Sequence, residues 1–134
     1  MKVVLDTNVF ISGIFFTGPP YQILRAWHEA RLHLCVSAEI LQEYVEVAER
    51  LASQFPPIDL QRILALLAAE AHVFRASPLP GPVSEDPDDD KFFACAIAAG
   101  SRLIVSGDRH LLRVSGYERI EVMRPRSFVD EHLG

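Results

Sequence analysis

Short β-branched runs recur along this chain with helical-period segments between them, and that alternation restricts the fold more than any single motif. Lys2-Val3-Val4-Leu5, His33-Leu34-Cys35-Val36, His72-Val73-Phe74-Arg75, Arg102-Leu103-Ile104-Val105-Ser106 and Ile120-Glu121-Val122-Met123 read as strands. The pattern predicts an α/β fold, a three-layer α/β/α sandwich with a mostly parallel central sheet. With 134 residues the expectation is one domain, 1–134. A 49% hydrophobic content suits a sheet covered on both faces.

The helices carry their own signals. Asn8 is able to cap a first helix, which Gly13, Gly18, Pro19 and Pro20 break; Pro20 opens a second, with Ile23, Leu24, Trp27 and Ala30 at helical spacing. Ser37 caps a helix from about Ala38 to Ala52, with Glu39 in its first turn and Ile40, Leu41, Tyr44, Val45 and Ala48 on its apolar face. Pro56-Pro57 ends that segment, and Asp59-Leu60 through Ala69 forms another apolar helix. The prolines between Ser77 and Pro87 make a rigid connection. An apolar helix then runs to Gly100, its terminator, a short one covers Arg109 to Leu112, and Pro125 opens a last one ending near His132.

Several function classes are excluded. Glu29, Arg31, Glu39 and Glu70 interrupt every apolar run before the roughly 18 residues that span a bilayer. Met1-Lys2-Val3-Val4-Leu5-Asp6 meets a carboxylate before a signal sequence can form, so the expected location is cytoplasmic. Cys35 and Cys95 lie in apolar segments and read as reduced core residues. The five histidines have no zinc-like spacing.

The acidic residues carry the chemistry. Asp6 and Asp108 each follow a strand, where ligands sit in parallel α/β sheets. In Ser84-Glu85-Asp86-Pro87-Asp88-Asp89-Asp90, Asp86 reads as a helix cap, with Pro87 first in the helix and Asp88 and Asp89 in its first turn. Asp90 is the carboxylate that capping does not explain; ahead of an apolar helix it needs a cation or a hydrogen-bond partner. Glu43 lies at the border of its helix's apolar face, roughly 130° from the centre, whereas Glu39 and Glu46 point nearly opposite that face. Convergent carboxylates suit hard cations such as Mg²⁺ or Mn²⁺, one or two of which activate water against a phosphodiester. The net charge of −5 does not exclude a nucleic-acid partner. With Asp6, Glu43, Asp86, Asp88, Asp89, Asp90 and Asp108, seven of the 18 acids, assigned to one pocket, 11 remain against 13 Lys and Arg.

These motifs, namely Val4-Leu5-Asp6-Thr7-Asn8-Val9, Ser37 through Glu43-Tyr44, Asp86-Pro87-Asp88-Asp89-Asp90-Lys91-Phe92 and Ile104-Val105-Ser106-Gly107-Asp108 with Leu111-Leu112, give the chain its likeness. Over essentially its full length it resembles PIN-domain ribonucleases, in particular VapC-like toxins of toxin–antitoxin systems. The resemblance implies that Asp6, Glu43, Asp90 and Asp108 hold Mg²⁺ or Mn²⁺, with Asn8 and Ser106 supporting them and Asp88 and Asp89 alongside. It implies an RNA substrate, a homodimer and a separate antitoxin protein. Two other readings share the fold class: a catalytically inactive PIN-fold interaction module, and a receiver-type phosphoacceptor domain. The receiver reading lacks an acid pair after the first strand, an Asp after the third and a Lys near the last.

Overall fold

The computed structural model describes residues 1–55 and 58–134. The expected break at Pro56-Pro57 lies outside the described residues. Five strands, β1 (Lys2–Leu5), β2 (His33–Val36), β3 (His72–Val73), β4 (Leu103–Val105) and β5 (Glu121–Met123), form one sheet in the order β3-β2-β1-β4-β5. All the pairings are parallel. Such a sheet needs cover on both faces, and the central strands meet that need with Val3, Val4, Leu5, Leu34, Cys35, Val36, Ile104 and Val105, all fully buried. Both cysteines are free and buried. The order also separates this chain from receiver domains, whose strands run 2-1-3-4-5.

The helices are α1 (Thr7–Phe15), α2 (Pro19–His28), α3 (Ala38–Ala52), α4 (Leu60–Glu70), α5 (Asp90–Ala99), α6 (Arg109–Arg113) and α7 (Pro125–Phe128). They flank the sheet in three layers. α1 packs on α2 and α3, α7 on α2, and α5 against β1, β2 and β4. Gly100 ends α5 with φ 70°, a left-handed conformation that glycine adopts without a Cβ penalty. The anchor nearest the sheet's carboxyl edge is Tyr44 on α3. Its ring stacks on Phe10 with centroids 4.2 Å apart, and its hydroxyl donates to the Leu5 carbonyl at the end of β1.

Several expectations give way, each for a local reason. The cap of α1 is Asp6, which accepts from Val9 N, and Asn8 lies exposed inside the helix. α1 runs through Gly13, because the missing side chain lets α2 approach; a Cβ there would sit 2.7 Å from Leu24. α2 starts at Pro19, one residue earlier than expected. β3 stops at Val73 because its partner β2 ends at Val36, whose carbonyl takes a last hydrogen bond from Phe74 N at 2.8 Å. The acidic run makes a separate 3-10 turn, Pro87–Asp89, before α5 begins at Asp90. α7 is short and passes into a wider π-helical turn, Val129–Leu133.

The contact at Gly13 yields a stability prediction. Gly13→Ala must push aside Leu24 and the backbone carbonyl of Pro20, 2.8 Å from the added Cβ, and is expected to cost about 1–3 kcal/mol despite the better helix propensity of alanine. Urea denaturation checks it; an unchanged midpoint would mean that the α1–α2 crossing relaxes freely.

Candidate functional site

β1 and β4 are neighbours at the centre of the sheet, and from them the chain departs to opposite sides, to β2 and to β5. That switch point is where an open parallel sheet leaves a crevice beyond its strand ends. Asp6 enters it directly from β1. Its backbone N–H donates to Val105 O at 3.0 Å, extending the β1–β4 pairing by one residue. Asp6 is buried, and its two oxygens have different partners. Oδ1 accepts from Val9 N at 2.8 Å, and Oδ2 accepts from the hydroxyl of fully buried Ser106. Ser106 Oγ also accepts from Asp108 N at 2.9 Å, so this one hydroxyl ties the acids after β1 and β4 together. Asp108 is half-buried and caps α6 through His110 N, 2.8 Å from Oδ1.

Glu43 reaches the crevice from α3 because Tyr44, the next residue, is pinned to Leu5. Its carboxylate is engaged at both ends: Oε1 accepts from Thr7 Oγ1, and Oε2 accepts from Lys91 Nζ at 2.6 Å. Thr7 is not evident as a site residue from sequence. Lys91, like Arg102 and Arg109, lies close in sequence to the expected ligands and reads as a phosphate contact or as solvated surface, yet its side chain is only 5% exposed and pairs with Glu43. Its ammonium also donates to Asp88 O at 2.9 Å and lies 3.2 Å from Asp88 Oδ2. Burial disfavours that charge, but the hydrogen bonds and charges of Glu43 and Asp88 outweigh it and hold the pKa above the ordinary lysine value.

The acidic run separates into four roles. Asp86 caps the 3-10 turn through Asp88 N, and exposed Asp88 pairs with Lys91. Asp90 turns back toward the proline-rich connection, where its Oδ2 accepts from Val83 N at 3.0 Å and Oδ1 from Ser84 N at 2.7 Å. That is the hydrogen-bond partner its position demanded. Asp89, half-buried, makes no capping bond at the start of α5. Burial first, then the charges of Asp108 and Asp86 and more weakly that of Asp6, raise its pKa to about 6 against the pull of Lys91. Asp6 is raised to about 6 as well. Burial is the largest cause, Asp108 and Glu43 add to it, and the Ser106 and Val9 hydrogen bonds oppose it.

Asp6 therefore lies within electrostatic reach of Glu43, Asp89 and Asp108, and Asp89 within reach of Asp108. Among the described residues, however, no three His, Cys, Asp or Glu side chains are gathered closely enough to hold a metal ion as they stand. Glu43 is turned to Thr7 and Lys91, and Asp90 to backbone amides. Oxygen-only donors and uncompensated negative charge on Asp6 nonetheless fit a hard divalent cation. Beside the turn lies a groove of about 660 Å³, bounded by Ser37, Glu39, Leu79, Pro82, Asp88 and Lys91 among others. No described helix is long and apolar enough to cross a membrane.

An uncharacterized protein of Methanocaldococcus jannaschii is 29% identical to this chain over 147 aligned positions, covering 98% of the chain and 91% of that protein. The family model described as PIN domain matches residues 2–110, which include β1, α3, the acidic turn, β4 and Asp108. The chain belongs to the PIN-domain family.

Proposed function

We propose that the chain is a Mg²⁺- or Mn²⁺-dependent endoribonuclease whose carboxylate set is Asp6, Glu43, Asp89 and Asp108. PIN domains are generally nucleases, which supports phosphodiester hydrolysis at the coarse level. The observation that carries the finer reading is a buried Asp6 whose charge is raised in energy by Asp108 and Glu43 at the sheet's switch point. When bound, the cation supplies the positive charge that activates water and stabilises the phosphodiester in displacement. The chain's own residues hold the oxygens in place. Ser106 fixes Asp6 relative to Asp108, Thr7 and Lys91 fix Glu43, and the turn capped by Asp86 presents Asp89.

Asp89 is preferred to Asp90 because burial and the charges of Asp108, Asp86 and Asp6 raise its charge in energy, whereas Asp90 is tied to the amides of Val83 and Ser84 and ties the turn to the proline-rich connection. In this reading Asp90 holds the turn, and Asp88 supports it through Lys91. Asn8, exposed in the first turn of α1, is offered as a substrate contact and not as a support of the floor. The likeness to VapC-like toxins extends the proposal to a toxin with a separate antitoxin and a homodimeric state in the cytoplasm. Growth arrest on expression, relieved by Asp6→Asn, is the expected sign of that role.

RNA cleavage with and without Mg²⁺, comparing wild type with Asp89→Asn, tests the proposal. Cleavage is expected to need the metal and to fall at least about 100-fold in the variant. Equal cleavage by the two proteins removes Asp89 from the site. Metal-independent cleavage sinks the mechanism, and no cleavage with no Mn²⁺ binding returns the chain to an inactive PIN-fold interaction module.

A further inference from the structure

The Lys91 ammonium donates to Glu43 Oε2 at 2.6 Å and to Asp88 O at 2.9 Å, and it lies 3.2 Å from Asp88 Oδ2 in an ion pair. With its side chain 5% exposed, the lysine cannot reach a substrate phosphate, and as a satisfied buried cation it has no need of one. It links three elements in one chain of bonds, from Thr7 on α1 through Glu43 on α3 to the turn before α5. Among the described residues, Glu43 is thus the one member of the proposed set in an ion pair with a side-chain cation. A lysine so placed keeps Glu43 aimed, and it also competes with any other cation for the same oxygen.

We infer that Lys91 is a positioning residue and resident counter-ion of Glu43, so that binding of a divalent cation must draw Glu43 Oε2 away from, or share it with, the Lys91 ammonium. This inference rests on the metal site proposed above. It explains why the carboxylates are not gathered as they stand: part of the charge that would draw a cation is already neutralised from within. The protein thereby lowers its affinity for divalent ions in exchange for a Glu43 held in place without them. Loss of the ammonium raises the negative charge offered to a dication, and the change acts through Glu43 because the contact is direct.

Titration calorimetry of the full chain with Mn²⁺ is the test. Lys91→Met, which keeps the apolar stem, is expected to bind Mn²⁺ at least about tenfold more tightly than wild type. Lys91→Arg is expected to stay within about threefold of wild type, since it keeps the charge. When Lys91→Met is combined with Glu43→Gln, the gain is expected to vanish, because the two residues act as a pair. Unchanged or weaker binding by a folded Lys91→Met protein overturns the inference, as does a gain that survives Glu43→Gln. Lys91→Gln, which can still donate to Asp88, is the second variant should Lys91→Met not fold. If neither folds, Lys91 is a stabilising ion pair alone and the inference falls. Wild-type binding that the Lys91 variants leave unchanged overturns only the role of Lys91, whereas no binding by wild type or any variant overturns the metal site along with it.

Discussion

Asp6→Asn is expected to raise the melting temperature of the metal-free protein at pH 7.5 while lowering RNA cleavage at least about 100-fold. The stability half follows from burial. Asp6 is raised from 3.8 to about 6, with desolvation the largest cause and the charges of Asp108 and Glu43 adding to it. A carboxyl whose folded pKa is raised favours the fold fully below its unfolded value. That contribution is lost as pH rises through about 6. Above pH 6 the buried charge stands about 3 kcal/mol against the fold, taking about 1.4 kcal/mol for each pKa unit. Asparagine removes the charge and keeps an oxygen to cap α1 through Val9 N, although its amide meets Ser106 less well than a carboxylate does. The net gain is therefore about 1–3 kcal/mol at pH 7.5 and close to zero at pH 4. Thermal melts of both proteins across that range check it. Parallel melting curves with no pH-dependent gap would show that Asp6 carries no strained charge. Added Mn²⁺ is expected to stabilise the wild type and leave Asp6→Asn unmoved, since a cation that binds only the folded carboxylates shifts the equilibrium by mass action.

The parts of this molecule legible from sequence are those governed by local chemistry. β2 and α3 have the expected bounds because a short apolar run meets Ser37, whose hydroxyl accepts from Ile40 N. Gly100 terminates α5 because a left-handed residue is needed there. The parallel sheet follows from alternation alone. The misjudged parts depend on a partner distant in sequence. Gly13 reads as a breaker until α2 is seen to pack on it, and no local signal announces Leu24. Lys91 reads as a phosphate contact or as solvated surface because its partner Glu43 lies 48 residues away. Thr7 is unremarkable until α3 brings Glu43 to it, and that placement depends on Tyr44, which by pattern is only another apolar-face residue. The acidic run differs for a local reason. Four aspartates within five residues invite assignment by order, yet around a 3-10 turn Asp86, Asp88 and Asp90 take different partners while Asp89 makes no capping bond, and periodicity does not reveal that turn. A signal was present in the neighbouring Val83-Ser84, whose backbone amides, freed by the prolines around them, needed an acceptor.

The division of labour between Asp90 and Asp89 predicts opposite responses to their loss. Asp90→Ala strips the acceptor from two backbone amides, one of them on buried Ser84, and is expected to destabilise the protein by about 2–4 kcal/mol in urea denaturation. Asp89→Asn is expected to change stability little at pH 7.5, and in the favourable direction. Its pKa, raised to about 6 by burial and by Asp108, means that ionisation there works against the fold above that pH. Cleavage should fail in both proteins for different reasons, which substrate-independent measurements separate. In Asp90→Ala the proline-rich connection from Ser77 to Pro87 loses its tie to α5, so amide exchange at Val83 and Ser84 should accelerate; in Asp89→Asn it should not. If Asp90→Ala keeps full stability and slow exchange at both amides, the tie is not what Asp90 provides, and its carboxylate returns to contention as a ligand. If Asp89→Asn is instead the destabilised protein, Asp89 is the structural acid of the pair and the proposed carboxylate set loses its third member.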